Sequence, residues 1–315
     1  MRKGAVFLVL LGLVLVGCDG TNTEPTVPTT NAPISTTTTQ GPPAPFPVLV
    51  ESDLGPVSIA TEPQRIVSLS ATHTEMLYAV GAHPRVVATD LTSNFPAAAL
   101  DTAKLDSFNF NVEEVAALQP DLVIIAFGFQ GEPEALEALG IPFLLMGPPA
   151  TLDEAFAQLR NLGAATGRGD EAIQLAQVLE EDVRELVDAS APIRGVTLFH
   201  EVDETLYSAT SESFIGDLYS QLGLVNIADT AGVAGSFPQL SAEYIVDKDP
   251  EFVFLADANF GVSPESVAAR PGWGTVRAVE EGNVVALDGD MAGRWGPRTV
   301  DLMRSIFEAV KAKVP

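Results

Sequence analysis

From residue 65 onward, short apolar runs alternate with amphipathic stretches along the chain. Four runs are rich in β-branched and other apolar residues, which is typical of buried strands: RIVSLS, VVATD, DLVIIAFG and IPFLLMG. Three intervening stretches place apolar residues at helical spacing: THTEMLYAVG, NVEEVAALQ and EPEALEALG. Two of them end at a glycine, Gly81 and Gly140, as helices commonly do. The alternation predicts a parallel sheet that is covered by helices on both faces.

The alternation stops over residues 151–191, where two long helical stretches follow one another with no strand between them. The second stretch predicts a helix from residue 170 to about residue 189. The alternation then resumes with RGVTLFHEV, SFIGDLYSQLG, SAEYIVDKD, PEFVFLAD and NVVALD, and it closes with a helix over 296–311. We therefore predict two α/β lobes, residues 51–150 and 192–315, joined by interlobe helices of which one is long.

One phrase occurs in both lobes. Residues 111–128 read NVEEVAALQPDLVIIAFG and residues 241–257 read SAEYIVDKDPEFVFLAD. When Glu113 is aligned with Glu243, a proline falls on a proline, and an acidic residue and an apolar run follow in each copy. The phrase predicts the same helix–strand unit in each lobe.

The N-terminal segment predicts export. Arg2 and Lys3 precede an apolar run that is too short for a membrane span, so we assign residues 1–17 to a signal peptide. The following LVGC resembles the lipobox of bacterial lipoproteins, in which the peptide is cleaved before the cysteine and the thiol is lipidated. Cys18, the only cysteine in the sequence, is the predicted lipidation site. Residues 18–50 are rich in Thr and Pro, and we expect a disordered tether there.

The charge and the motifs of the sequence disfavour several classes of function. The formal net charge of −25 disfavours nucleic-acid backbones and anionic lipid surfaces, so the predicted membrane contact is only through the lipid on Cys18. The sequence contains no nucleophile elbow, Walker loop, zinc-protease motif or dinucleotide fingerprint, and we predict that it is not an enzyme. A secreted hydrolase is the alternative from another class, and no motif favours it.

Several segments, in this order and spacing, resemble the substrate-binding lipoproteins of ABC importers for cobalamin, ferric siderophores and haem. These segments are PQRIVSLSATHTEMLYAVG, NVEEVAALQPDLVI, SFIGDLYSQLGLVNI, LSAEYIVDKDPEFVF, RPGWGTVRAVEEGNVVALD and RWGPRTVDLM. The resemblance implies two lobes that flank a cleft, with a rigid helix that spans both and limits their closure. It further implies an extracytoplasmic monomer without a cofactor, whose bound ligand is a metal chelate.

The same resemblance assigns a role to the repeated glutamate. In the family, one exposed glutamate on top of each lobe meets an arginine pocket on the permease dimer, and by position these are Glu113 and Glu243. The alternative is that each glutamate only stabilises a helix N-terminus, an effect of about 0.3–1 kcal/mol. The matched placement favours docking, whereas a sensor or adhesion domain without transport would leave both residues dispensable.

Ligand-contacting residues are expected at the carboxyl ends of the parallel strands. We single out aromatic, histidine and arginine side chains there, with Trp295 as the best single contact and Trp273 as a structural residue. The predicted ligand-binding residues are His73, Phe108, Phe110, Phe127, Phe129, His200, Phe237, Phe260, Arg294 and Trp295.

The predicted ligand is a corrinoid, with a ferric siderophore close behind. TDLTSNFP at 89–96 resembles a loop of cobalamin binders, and the predicted cleft is rich in phenylalanine with few cations. Anionic ferric chelates would need several cations, and only Arg294 and Arg298 are available. Haem and bare zinc or manganese are alternatives. For a bare metal, His73 and His200 would face each other across the cleft, but the sequence has no histidine-rich loop.

Overall fold

A computed structural model describes residues 46–314. The predicted signal peptide, Cys18 and most of the predicted tether lie outside the described residues. The described chain begins with an antiparallel pair, β1 (Val48–Val50) and β2 (Val57–Ile59). The tether predicted over 18–50 therefore extends too far, because Val50 and Ile59 are buried in the core at 1% and 4% exposure. Among the described residues, none of the helices is both long enough and apolar enough to cross a bilayer.

The first lobe is a parallel sheet with the strand order β5-β4-β3-β6-β7. The central strands β3 and β6 are buried along their whole length. Burial on both faces accounts for the apolar sequence of β6, LVII, and of β3, IVSL, in which Ser68 is the one polar residue. The edge strand β5 was not predicted, because its sequence AKL has only three residues and none of them is buried. The elements are β3 (Ile66–Leu69), α1 (Ala71–Ala79), β4 (Val86–Asp90), β5 (Ala103–Leu105), α2 (Val112–Ala117), β6 (Leu122–Ile125), α3 (Glu132–Ala138) and β7 (Phe143–Leu145).

The second lobe repeats this plan with four parallel strands in the order β11-β10-β8-β9. Its elements are β8 (Thr197–Glu201), α6 (Phe214–Gln221), β9 (Val225–Asn226), α7 (Ala242–Lys248), β10 (Phe252–Leu255), α8 (Pro264–Ala268), α9 (Arg277–Glu280), β11 (Val284–Ala286), α10 (Gly289–Ala292) and α11 (Thr299–Lys311). The two-lobe α/β fold predicted from the sequence is confirmed.

Two packed helices connect the lobes, α4 (Leu152–Ala165) and α5 (Gly169–Ala189). They approach each other closely at Gly163, where an added Cβ would lie only 2.2 Å from the Cβ of Ala172. One continuous hydrophobic core includes residues of both lobes and of α4 and α5. Because the lobes share this core, large independent movement would expose apolar surface, which opposes wide hinge opening.

The repeated phrase forms the same unit twice. In the first lobe, α2 leads into β6, which pairs with β3. In the second, α7 leads into β10, which pairs with β8. The pairings Leu69↔Ile125 and Glu201↔Leu255 close the two strand pairs at their carboxyl ends, so the ends occupy equivalent places in the two lobes.

Candidate ligand-binding cleft

A cavity of about 490 Å³ opens at the carboxyl ends of β3, β4 and β6, with further walls from the α10–α11 region of the second lobe. This is the position at which parallel α/β sheets bind ligands. The lining residues are Leu69, Ser70, Ala71, Thr72, Asp90, Thr92, Ser107, Phe108, Phe110, Ile125, Ala126, Phe127, Phe129, Gln130, Glu132, Gly289, Asp290, Gly293, Arg294 and Trp295.

Phenylalanines dominate the first-lobe wall of this cavity. Phe108, Phe127 and Phe129 are 68%, 44% and 86% exposed. Phe127 and Phe129 stack with ring centroids 5.3 Å apart, and Phe110 packs against the first-lobe core. Exposed aromatic rings at a cavity rim are unfavourable in water, and a large apolar ligand would cover them. The structure thus brings together the four phenylalanines that were predicted for this lobe.

A polar network holds the loop after β4 at the cavity edge. Asp90 is only 2% exposed and accepts hydrogen bonds from the hydroxyl groups of Thr92 and Ser93. Ser93 Oγ also lies 2.9 Å from Thr74 Oγ1. Lys104 Nζ donates to the Ser93 carbonyl at 2.6 Å. The carboxylate of Asp90 is therefore fixed beside the cavity.

Arg294 lines the cavity as predicted, but its guanidinium group is already paired within the protein. It donates to Glu75 and Asp290, both at 2.8 Å, and to the Asn94 side-chain oxygen at 2.9 Å. Arg298 donates to the same glutamate and lies over the ring of Phe95, 4.2 Å from its centroid. The hydrogen bonds with Glu75 raise the pKa of Arg298 above its ordinary value.

The two tryptophans have different environments. Trp295 is 5% exposed at the cavity wall, and its Nε1 donates to Gln158 Oε1 at 2.7 Å. Its ring packs edge-on against Phe214 of the second lobe, with centroids 6.0 Å apart. Trp273 is buried in the second-lobe core against Phe199, which accords with a structural role.

The two histidines predicted as ligand-binding residues lie inside the lobes. His73 and His200 are 0% and 2% exposed, and neither lines the cavity. Their Nδ1 atoms lie 2.9 Å from Ser70 Oγ and Tyr219 Oη, respectively. Burial lowers the pKa of each histidine to about 4, so both are neutral near pH 7. The prediction relied on the position of each histidine near the end of a strand, and that position does not determine whether the ring points into the cleft or into the lobe. Within residues 46–314, no cluster of three or more His, Cys, Asp or Glu side chains could hold a metal ion.

Two further predicted residues lie apart from this cavity. Phe237 and Phe260 are 47% and 89% exposed on the second lobe, but they are not among its lining residues. Conversely, the predictions did not include Ser107, Gln130 and Glu132, which do line it. Gln130 Nε2 donates to the Phe108 carbonyl and so ties the two phenylalanine-bearing loops together. Gln130 lies in the loop after the predicted strand DLVIIAFG, and Glu132 begins the helix predicted after that loop. Ser107 follows β5, which was not predicted, so no sequence signal pointed to it.

The equivalent strand ends of the second lobe carry acidic residues. Glu201 is fully buried and its two oxygens accept from Arg270, both at 2.6 Å. Asp257 is 3% exposed, and neither of its carboxyl oxygens has a hydrogen-bond partner among the described residues. Burial, together with the charge of Glu201, raises the pKa of Asp257 to about 6. The ends of β8 and β10 therefore carry buried acidic side chains, where the matching strand ends of the first lobe border the cavity.

Glu113 and Glu243 occupy the same position in their helices. Each is the second residue of its helix, α2 or α7, and each is exposed. The preceding cap residues are Asn111, which accepts from the Glu113 amide at 3.0 Å, and Ser241, which accepts from the Tyr244 amide at 3.1 Å. Neither glutamate forms a salt bridge within the described part of the chain.

The chain is similar to a known protein family and to several characterised and uncharacterised bacterial proteins. The family described as periplasmic binding protein matches residues 66–291. An uncharacterized ABC transporter substrate-binding lipoprotein of Bacillus subtilis is 27% identical over 275 residues, which is 84% of this chain and 86% of the relative. The vitamin B12-binding protein of Vibrio parahaemolyticus is 25% identical over 266 residues, covering 82% and 94% of the two chains.

Two solved structures share the fold. The periplasmic vitamin B12 binding protein of Vibrio cholerae superposes with a TM-score of 0.67 and 24% identity, covering 79% of this chain and 97% of that one. The periplasmic haem-binding protein of Roseiflexus superposes with a TM-score of 0.70 and 23% identity, covering 79% and 98%. The same two-lobe architecture therefore occurs in a vitamin B12-binding protein and in a haem-binding protein.

Proposed function

This chain belongs to the periplasmic binding protein family, and from that premise we propose that it is the extracytoplasmic substrate-binding protein of an ABC importer. In this proposal the chain is a binding protein, not an enzyme, and it is anchored through a lipid on Cys18. It captures a corrinoid in the cleft and delivers it to a permease dimer. The named roles of its relatives in Bacillus and Vibrio support this assignment.

The observation that carries the ligand class is an aromatic cavity without a free cation. Of the described lining residues, Arg294 is the only Lys or Arg, and Glu75 and Asp290 already pair with it. Asp90 and Glu132 add negative charge to the wall. Such a surface disfavours anionic ferric chelates and favours a large neutral ligand that covers the phenylalanine rings.

The donor atoms at the wall favour a corrinoid over haem. Haem iron is usually held by His, Cys, Met or Tyr, and none of these residue types occurs among the described residues that line the cavity. The cobalt of cyanocobalamin already carries both axial ligands and needs no donor from the protein. Phe108 and Phe129 extend the apolar surface outward, so a ligand larger than the cavity can rest on them.

Docking through Glu113 and Glu243 is the second part of the proposal. Their matched exposure and identical helix positions suit a partner that presents two equivalent cationic pockets. Neither carboxylate forms an ion pair with another of residues 46–314, which leaves both available for such a partner.

The test is titration calorimetry on a soluble form that lacks residues 1–18. Cyanocobalamin, the neutral ferric hydroxamate ferrichrome, haem and zinc are titrated in parallel. We expect saturable binding of cyanocobalamin with a Kd near or below about 1 µM, accompanied by quenching of the Trp295 fluorescence. Preference for haem or ferrichrome would contradict the corrinoid assignment, and silence with all four would contradict the capture of a metal chelate.

A further inference from the structure

A buried ion-pair cluster joins the two lobes at the edge of the cavity. Glu75 lies on α1 of the first lobe, and both of its carboxyl oxygens accept from the second lobe. Arg294 donates to Oε1 at 2.8 Å, and Arg298 donates to Oε2 at 2.9 Å and to Oε1 at 2.6 Å. The side chains of Glu75, Arg294 and Arg298 are 2%, 9% and 17% exposed. Water screens such a cluster poorly, so its charge balance matters for whatever binds beside it.

Only one of the two guanidinium groups reaches the cavity wall. Arg294 lines the cavity, whereas Arg298 lies behind it over Phe95. Asp290, the second carboxylate in the cluster, accepts from Arg294 at 2.8 Å and also from the Asn94 side-chain amide at 2.8 Å. Two guanidinium groups are thus balanced by two carboxylates. Without the charge of Glu75, this cluster of four side chains would carry one net positive charge, and Arg294 would present it to the cavity.

We propose that Glu75 determines which ligand charge the cleft accepts: by neutralising Arg294, it keeps the cavity selective for neutral chelates over anionic ones. Glu75 is absent from the cavity lining and acts through Arg294, so it is a positioning residue and not a ligand contact. The inference rests on the proposed function for the class of ligand, a metal chelate, but not on which chelate is bound.

The experiment compares Glu75→Gln with the wild type, using two corrinoids that differ by one charge. Cyanocobalamin is the neutral probe, and its monocarboxylic acid, made by hydrolysis of one side-chain amide, is the anionic probe. The measured quantity is the ratio of the two Kd values, which cancels any loss of active protein. We expect this ratio to shift toward the acid by about tenfold in the variant, as one unscreened charge near the ligand would produce.

The matched control restores the charge balance. The double variant Glu75→Gln with Arg298→Gln removes one charge of each sign, and it should return the ratio to within about twofold of the wild type. If Glu75→Gln fails to fold, Asp290→Asn serves in its place, because this carboxylate is 37% exposed and also pairs with Arg294. An unchanged ratio in every folded single variant would overturn the proposal.

A second pair of probes separates this proposal from the corrinoid assignment. If the wild type binds neither corrinoid, the corrinoid assignment fails, and the ratio is measured with neutral ferrichrome and a trianionic ferric tris-catecholate. A shift toward the anionic chelate in Glu75→Gln would still uphold the role of Glu75. The absence of a shift, or of binding by all four probes, would overturn it.

Discussion

The two lobes use the same helix–strand unit, and two parts of it can be compared between the lobes. The exposed helix starts, which we call the outer surfaces, match closely, whereas the residues at the carboxyl ends of the strands, which we call the inner surfaces, differ. On the outside, Glu113 and Glu243 take the same position in equivalent helices, and both are exposed. On the inside, the residue two places after β6 is the exposed Phe127, while the residue two places after β10 is the buried Asp257. The end of β3 is Leu69 at the cavity, and the end of β8 is Glu201 within an ion pair.

This difference separates two kinds of recognition within one duplicated plan. A two-fold symmetric partner selects for matching outer surfaces, because it presents the same pocket to each lobe. A ligand without that symmetry selects for inner surfaces that differ, one aromatic and one closed by polar pairs. The proposed docking and the proposed ligand site therefore make separate demands on the same repeat, and variants can test them separately.

Removing the aromatic half of the cleft should have the largest effect on affinity. In the double variant Phe127→Ala with Phe129→Ala, the stacked pair that the ligand would cover is lost. We expect the Kd for cyanocobalamin, measured by calorimetry, to rise by about 100-fold. The matched control is Phe260→Ala, which removes an exposed phenylalanine of the second lobe outside this cavity, and it should change the Kd by less than about twofold. An equal loss of affinity in both variants would contradict the assignment of ligand binding to the phenylalanines of the first lobe.

Acid should destabilise each lobe through its buried histidine. The pKa values of His73 and His200 are lowered to about 4 in the folded state, so the unfolded state takes up protons first as the pH falls through about 6.5. Stability is retained above that pH and is lost on the way down to about 4. By about pH 5 each histidine should cost on the order of 2 kcal/mol of the free energy of unfolding.

Urea unfolding of His73→Gln and His200→Gln, compared with the wild type at about pH 7.5 and pH 5, measures this effect. In each variant, the free energy of unfolding should fall less between these two pH values than in the wild type, because one titrating ring is gone. If both variants keep the slope of the wild type, acid instability does not come from these rings.

The buried Asp257 of the second lobe predicts a pH dependence of stability opposite in sign to that of the histidines. The pKa of Asp257 is raised to about 6, above its unfolded value, so its ionised form destabilises the fold above that pH and the penalty disappears as the pH falls. Asp257→Asn should therefore raise the free energy of unfolding at about pH 7.5, by at most about 3 kcal/mol. Urea denaturation provides the measurement. A loss of stability would show instead that Arg270 stabilises this carboxylate.

The strands that could be predicted from the sequence are those whose own residues form a run of apolar side chains. Strands β3, β6 and β10 lie inside their sheets and consist mostly of apolar residues, IVSL, LVII and FVFL. The edge strands β5 and β9 were not predicted, because AKL and VN hold too few apolar residues to give a periodic signal. The pair β1–β2 was missed because β1 follows a proline-rich stretch and consists of only three residues.

The same limit applies to the site. Phe108, Phe127 and Phe129 were predictable because aromatic residues in loops after strands have no local reason to be buried. His73 and His200 were misplaced because the sequence does not show into which side of a strand end a ring turns. Glu75 was missed because its partner Arg294 lies 219 residues away along the chain, and only the folded arrangement of the lobes brings them together.

The central claim is that the outer glutamates are recognised by the transporter and the inner surfaces by the ligand. The most direct measurement takes Glu113→Ala with Glu243→Ala in the full-length chain, with Glu114→Ala as the exposed neighbouring control. Uptake of radiolabelled cyanocobalamin by cells that depend on this chain is compared with the Kd of the same variants. The account predicts that uptake falls to background in the double variant while the Kd stays within about twofold of the wild type. Normal uptake, or uptake lost together with binding, would contradict it.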